Sequence, residues 1–288
     1  MMMLSKKMIN AQAFEKSIDL FRCPICEANM EFMEQSRLVC RENHSFDLSK
    51  QGYVNLAPQA HATKYDKSLF GARKIIIDSG FFNPLLDRIT ALISGQLQAA
   101  DDLAMIDAGC GEGSHLSSLL SCLPENVTGV GIDLAKEGIV AAAKDHPGNI
   151  WTVGDLANCP FQDAEFDVVL NILSPANYGE FTRLLKRGGL FLKVIPEENY
   201  LKELRDVFYA DTERSQETNA IERITNLFEN VQTERLTYTF PLNRELLAKL
   251  IEMTPLTWGA SAEKIEEALH ENISSITIDF KIITGRKK

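Results

Sequence analysis

No apolar run in this chain approaches the ~20 residues that cross a bilayer, and its Met- and Lys-rich start lacks the continuous apolar core of a secretory signal. Neither an internal repeat nor a low-complexity tract interrupts the 288 residues. Cysteine is scarce beyond residue 44: only Cys110, Cys122 and Cys159 remain there, Cys110 inside a glycine turn and the other two without an evident partner. These absences argue against a membrane span, a solenoid and a disulfide-stapled secreted fold. The expectation is a cytoplasmic protein in a reducing compartment, without a membrane partner. The length exceeds one domain of ~150 residues and suggests a large domain with a small one attached.

What is present begins with Cys23-Pro24-Ile25-Cys26, thirteen residues, and then Cys40-Arg41-Glu42-Asn43-His44. A CxxC followed by a CxxxH has the spacing of a closed tetrahedral zinc site with three thiolates and one imidazole. The spacer, with Met30, Phe32, Leu38 and Val39, suits one hairpin that returns the second pair to the first. Four buried residues with no common ligand are the competing reading, and the spacing rule disfavours it. Four protein ligands leave no open position, so the metal is expected to hold structure and do no chemistry.

Chemistry is expected further along. Met105 to Gly113 reads as a buried strand entering a turn with glycines at 109, 111 and 113, and Ser114 reads as the cap of the next helix. Glycines let the backbone approach a nucleoside and set a helix N-terminus behind it. The pattern D-x-G-x-G-x-G, with Asp107 two residues before the first glycine, resembles the first motif of S-adenosylmethionine-dependent methyltransferases more than a nicotinamide fingerprint. A second strand ends at Asp133, where an acid accepts hydrogen bonds from ribose hydroxyls. A third ends at Asp155, placed to reach an adenine amino group. Further strands are expected at 166–173 and 185–195, with the last ones around Phe240 and 276–282. Alternating strands and helices point to an α/β fold with a parallel sheet covered on both faces.

Net charge is −10, yet it is unevenly placed: residues 1–75 carry eleven Lys or Arg against eight Asp or Glu. The local excess includes Arg37, Arg41, Lys50, Lys64, Lys67, Arg73 and Lys74. A solvated surface explains it about as well as a phosphate backbone does, but beside a zinc ribbon a polynucleotide substrate becomes credible.

Residues Cys23 to Ala57, the Ala72-Arg73 to Gly80 segment, the glycine motif at 107–113 and Met253 to Trp258 together resemble the RlmA-type 23S ribosomal RNA (guanine-N1)-methyltransferases over nearly the whole chain. The resemblance implies a Rossmann-like class I methyltransferase domain with an N-terminal zinc-ribbon module. Residues 1–20 would form a loosely held extension, although Phe14, Ile18 and Leu20 are spaced to pack as one helical turn, 21–60 the zinc module, 61–100 a helical linker along the cofactor site, and 101–288 the methyltransferase domain. It implies methylation of guanine N1 in a domain II hairpin loop of 23S rRNA, with S-adenosylmethionine and zinc bound and a homodimer left open. Cys23, Cys26, Cys40 and His44 match the family's zinc ligands, and Phe82, Asp107, Gly109, Gly111, Glu112, Asp133 and Asp155 its cofactor site. Phe82 stands where the family often has Tyr, which removes a hydroxyl.

Ser174 to Phe181 and Lys193 to Pro196 resemble the Gram-positive branch, associated with tylosin-type macrolide resistance, and the first of these segments is expected to choose the guanine. Asn171, Ser174 and Pro175 are the candidates for catalysis, Asn171 orienting the base edge, although none of them is an obvious base for the N1 proton. Trp258 reads more readily as core than as a stacking platform, and His61 and His146 as surface residues. Two other functions fit less well: a methyltransferase acting on a small molecule or protein, and a non-catalytic zinc RNA-binding protein.

Overall fold

The computed structural model describes residues 5–59, 65–95, 102–209, 218–271 and 273–288; His61 and Lys64, named above, lie outside them. A three-stranded antiparallel sheet comes first, with β1 (Met30–Met33), β2 (Arg37–Cys40) and β3 (Ser45–Asp47) in sequence order. The β1–β2 hairpin pairs Met30 with Cys40 and Met33 with Arg37, so the spacer brings the second pair of metal ligands back to the first.

The main sheet has eight strands in the order β10-β11-β9-β8-β5-β6-β7-β4. These are β4 (Val54–Asn55), β5 (Leu103–Ala108), β6 (Val127–Asp133), β7 (Ile150–Val153), β8 (Phe166–Ile172), β9 (Leu185–Pro196), β10 (Phe228–Pro241) and β11 (Ser275–Lys287). Strands β4 to β9 run parallel, and every residue of β5 and β7 is buried, as in a sheet covered on both faces. The sheet is not parallel throughout: β11 runs antiparallel to β9, and β10 antiparallel to β11. At the edge, β10 leaves most of every second residue in water while Leu236, Tyr238 and Phe240 pack inward.

The helices are α1 (Lys6–Lys16), α2 (Lys67–Asp78), α3 (Asn83–Ser94), α4 (Ser114–Ser121), α5 (Lys136–Asp145), α6 (Tyr178–Leu184), α7 (Lys202–Phe208), α8 (Thr218–Leu227), α9 (Arg244–Met253) and α10 (Ala262–His270). Residues 5–22, ahead of the first zinc ligand, are packed against the fold rather than loosely held, and the packing runs through Phe14 and Leu20, as the apolar spacing allowed. Phe14 on α1 is completely buried and stacks on Phe21 at 5.5 Å and Phe32 at 6.2 Å. Burying such a ring stabilises by roughly 2–3 kcal/mol. Asn10, also buried, donates to Gly52 O (3.1 Å) and Ala143 O (3.3 Å) and accepts from Gly148 N (2.8 Å), tying α1 to both parts of the molecule.

The zinc module therefore does not hang from the sheet. Its β4 forms the sheet's edge, with Val54 opposite Thr152 and Leu56 N donating to Val153 O. Its Phe21, Leu38 and Val54 share one core with Ile106, Val130 and Phe161 of the large domain.

Candidate active site and metal centre

Two tight turns build the metal centre. In the first, Glu27 adopts a left-handed conformation (φ 59°) just past Cys26, and its N–H closes the turn on Cys23 O. In the second, Asn43 (φ 62°) does the same on Cys40 O and aims His44 inward. The ligand atoms of Cys23, Cys26, Cys40 and His44 all lie within 4.8 Å of one another. His44 presents Nδ1, 3.5 Å from Cys23 Sγ and 3.4 Å from Cys40 Sγ, while Cys26 Sγ and Cys40 Sγ are 3.6 Å apart. Ligands ~2.0–2.3 Å from a tetrahedral zinc stand about this far from each other, so the donor set and its spacing both fit a closed zinc site.

The glycine turn forms where β5 and β6 end. Gly109 N and Cys110 N donate to Ile132 O, and Gly111 N donates to Asp133 Oδ2 at 2.8 Å. Asp133 Oδ1 takes Ala135 N at the start of α5, so one carboxylate fixes both the turn and the next helix. Gly109 has φ +92°, and a Cβ there would lie 1.9 Å from Ser174 Oγ. In this structure the space beside Gly109 is thus taken by Ser174, where the glycine had suggested room for a nucleoside. Ser114 is not the helix cap: Gly113 occupies that position (φ +80°) without a side-chain bond, because a Cβ would enter the Trp151 ring at 2.4 Å. Ser114 Oγ instead sits 3.4 Å from Nε2 of His146, which is half-buried, not a free surface residue.

Beneath the turn is a cluster that the sequence reading had only in part. Arg73 reaches in from α2, its Nε 3.0 Å from Glu112 Oε2. Glu112 and Asp107 are almost fully buried, and among the described residues Asp107 Oδ1, both Glu112 oxygens, Arg73 Nε and His115 Nε2 find no hydrogen-bond partner. Burial pushes the Asp107 carboxyl up to about 7 while the Arg73 guanidinium pulls it down. Burial likewise holds His115 well below the usual imidazole range, and Phe82 covers its ring edge-to-face at 4.8 Å. Orphaned buried donors and acceptors of both signs are costly unless a ligand meets them. An ammonium and a carboxylate, as at the methionyl end of S-adenosylmethionine, would satisfy this set, so the residues fit the cofactor. Arg73 consequently leaves the basic surface proposed above, and Lys74 is engaged with Asp78 at 3.2 Å. Asp155 follows β7 half-buried, its Oδ1 capping Ala157 N at 2.8 Å.

A cleft of about 710 Å³ opens beside this cluster, lined by Tyr65, Arg73, Phe82, Ser174, Pro175 and Lys193 among others. Ser174 and Pro175 reach it as expected. Asn171 does not: it is fully buried, donates to Ala108 O (2.7 Å) and Pro175 O (3.1 Å), and accepts from Lys193 Nζ (2.7 Å). Its amide is engaged by the protein itself, so it shapes the loop and holds Lys193 rather than meeting a base edge. Only the start of the 174–181 segment faces the cleft; Tyr178 to Leu184 is helix α6, and Tyr178 and Phe181 pack on Phe191. Trp258 is half-buried and packs edge-to-face on Tyr65 at 5.3 Å, in keeping with a core role.

With this geometry established, similarity to known proteins is informative. The chain matches the RlmA N-terminal zinc-ribbon family over residues 21–64 and a methyltransferase domain family over residues 105–189. YxjB of Bacillus subtilis (strain 168), provisionally named a 23S rRNA (guanine-N(1)-)-methyltransferase, is 41% identical, covering 93% of this chain and 97% of its own. The 23S rRNA (guanine(748)-N(1))-methyltransferase of Streptomyces fradiae is 30% identical, covering 92% of this chain and 96% of its own. Among solved structures, phosphoethanolamine N-methyltransferase 2 of Haemonchus contortus, with S-adenosylhomocysteine bound, superposes with a TM-score of 0.50 at 18% identity. That match covers 78% of this chain and 59% of the other, and carries the fold alone.

Proposed function

Because the chain belongs to the 23S rRNA (guanine-N1)-methyltransferase family, we propose that this S-adenosylmethionine-dependent enzyme methylates N1 of a guanine in a domain II hairpin loop of 23S rRNA. The observation that carries the reading is 41% identity to a relative aligned over 93% of this chain, joined to a cleft whose lining residue Arg73 pairs with Glu112 of the glycine turn. The Streptomyces fradiae relative is named for guanine 748, and we infer the equivalent guanine here, which links the chain to the tylosin-type branch. Mass spectrometry and primer extension of 23S rRNA from a strain lacking the gene test this. Loss of the stop at that guanine is the expected result, loss at a neighbouring guanine would reassign the branch, and an unchanged rRNA would overturn the substrate. Sedimentation of the purified protein tests the homodimer, and fractionation of cells the cytoplasmic location.

S-Adenosylmethionine supplies an electrophilic methyl carbon, so the protein's main tasks are binding and alignment. Asp107 and Glu112 would hold its ammonium, Arg73 its carboxylate, Asp133 its ribose and Asp155 its adenine, around the turn that Gly109 and Gly111 shape through their positive φ. Phe82 gives the cleft an aromatic wall, while Ser174 and Pro175 border the place where the base must enter. A loop guanine reaches that place by leaving its stack, at a cost of a few kcal/mol, less where it is already unpaired.

Asp107 makes cofactor affinity depend on pH. Its carboxyl in the folded protein is raised to about 7, so at pH 6 it is mostly protonated and offers an ammonium little charge. Affinity for S-adenosylmethionine is expected to rise about tenfold between pH 6 and 8, and Asp107→Asn should be weak and flat across that range. Calorimetry at several pH values checks this; a wild-type profile as flat as the variant's would remove Asp107 from the site.

Phosphate contacts are assigned to the ribbon. The Arg41 side chain is 82% exposed beside Glu42, Lys50 is exposed, and Arg37 is half-buried and pairs with Glu34. Replacing all three by Ala should weaken hairpin binding and flatten the log–log salt slope by about one per lost contact, leaving cofactor affinity unchanged. Binding titrations at several salt concentrations would refute the assignment if the slope stayed the same.

A further inference from the structure

Lys193 interrupts the apolar run Leu190 to Ile195 of β9 and is 96% removed from solvent, yet it lines the cleft. Its Nζ is fixed by Asn171 Oδ1 at 2.7 Å and Ser174 O at 3.1 Å. Both partners belong to the wall nearest the glycine turn: Asn171 also binds Ala108 O, and Ser174 Oγ overlies Gly109. Among the described residues, the cleft's other cations are Arg73, which faces Glu112 in the cofactor cluster, and Lys281, which pairs with Glu197. A lysine is not placed in a buried strand for packing, since burying its charge is costly. Here a rigid amide and a carbonyl hold one ammonium at the place where substrate and cofactor must meet.

Guanine supplies the reason for a cation at that point. N1 is bonded to hydrogen at neutral pH, and its lone pair is delocalised into the ring carbonyl. Loss of the proton leaves an anion whose charge rests largely on O6. We propose that Lys193 is a catalytic residue that binds O6 of the target guanine and stabilises the N1-deprotonated base; this rests on the guanine-N1 reading above. The N1 proton passes to hydroxide or another solvent base in the open cleft. The N1 electron pair then forms the bond to the methyl carbon as the carbon–sulfur bond breaks, and that bond's electrons stay on sulfur. Charge that develops during reaction meets a donor already fixed in place by Asn171 and Ser174, so little reorganisation is needed at the moment of reaction.

The test uses the full-length zinc protein, with hairpin RNA for kinetics and the same hairpin carrying 6-thioguanosine at the target for spectroscopy. The near-ultraviolet band of 6-thioguanosine reports N1 ionisation without any methyl transfer. Lys193→Met should lower kcat at neutral pH on the order of 100-fold. It should also move the acid limb of the kcat profile upward by about 1–2 pH units, because removing a cation makes the anion harder to form. Lys193→Arg, which keeps the charge, should recover a substantial part of both. In the spectroscopic arm, wild-type protein should shift ionisation of the bound thio-base to lower pH, and Lys193→Met should return it to the free-RNA value. Unchanged zinc content and cofactor affinity would show that the variants are folded. A pH limb and a thio-base titration that do not move in folded Lys193→Met protein would overturn the role of Lys193. Absence of N1-methylguanine from wild-type reactions would overturn the functional reading itself.

Discussion

Gly109→Val is expected to abolish measurable S-adenosylmethionine binding, a loss of at least ~100-fold, in a protein that keeps its zinc. Two effects add. At φ +92° a β-branched residue is strained, at a cost of order 1–3 kcal/mol. Its Cβ would also lie 1.9 Å from Ser174 Oγ, so either the turn or the Ser174 loop must move, and both border the cofactor cluster. Gly188→Ala separates the two effects: φ there is +74°, but nothing lies within 4 Å of the added Cβ. That variant should lose a little stability and no affinity. Calorimetry finding wild-type affinity in Gly109→Val protein would move the cofactor elsewhere.

Removing the zinc is expected to have the largest effect on stability. Cys23→Ser, or chelation of the wild type, should release one zinc per chain and lower the midpoint of thermal unfolding on the order of 10 °C. The reason is the shared core. Cys23 and Cys40 are buried in the same apolar cluster as Ile106 and Val130, and β4 extends the sheet beside β7. Cofactor affinity should fall as well, since β7 leads directly into Asp155 and its neighbour β6 ends in Asp133. Metal analysis, a thermal scan and a cofactor titration on the same sample check all three. If chelated protein kept its midpoint and its affinity, the module would be energetically separate from the sheet.

The metal ligands were fully legible because zinc imposes short spacings that survive any fold. The glycine turn and the acids at 133 and 155 were legible too, since each sits at a strand end that local pattern reveals. Arg73 was harder to see. It lies on the apolar stripe of α2, between Phe70 and Ile77, but only the tertiary packing shows that this stripe turns it toward Glu112. Lys193 left a clear mark as a charge within an apolar strand, and its meaning came from the partners 19 and 22 residues earlier. Asn171 misleads for the opposite reason: a polar residue at a strand end suggests a site, but here two backbone carbonyls and the Lys193 ammonium consume its amide. Strand β10 showed alternation from Leu236 to Phe240, whereas its antiparallel direction follows from pairing with β11 and is not a local property.

The edge strand also sets an order of events during synthesis. All four zinc ligands fall between residues 23 and 44, so the ribbon can close on its metal as soon as that stretch leaves the ribosome. Val54 must wait for Thr152, and at about 5–20 residues per second that gap lasts roughly 5–20 s. During that interval the apolar side of the ribbon, including Phe21, Leu38 and Val54, has no sheet to cover it. A metal-closed nascent ribbon presents this surface as one small, fixed patch, whereas a metal-free one presents it on a flexible chain open to aggregation. Zinc availability at the moment of translation then enters the yield of active protein, separately from the zinc affinity of the finished enzyme.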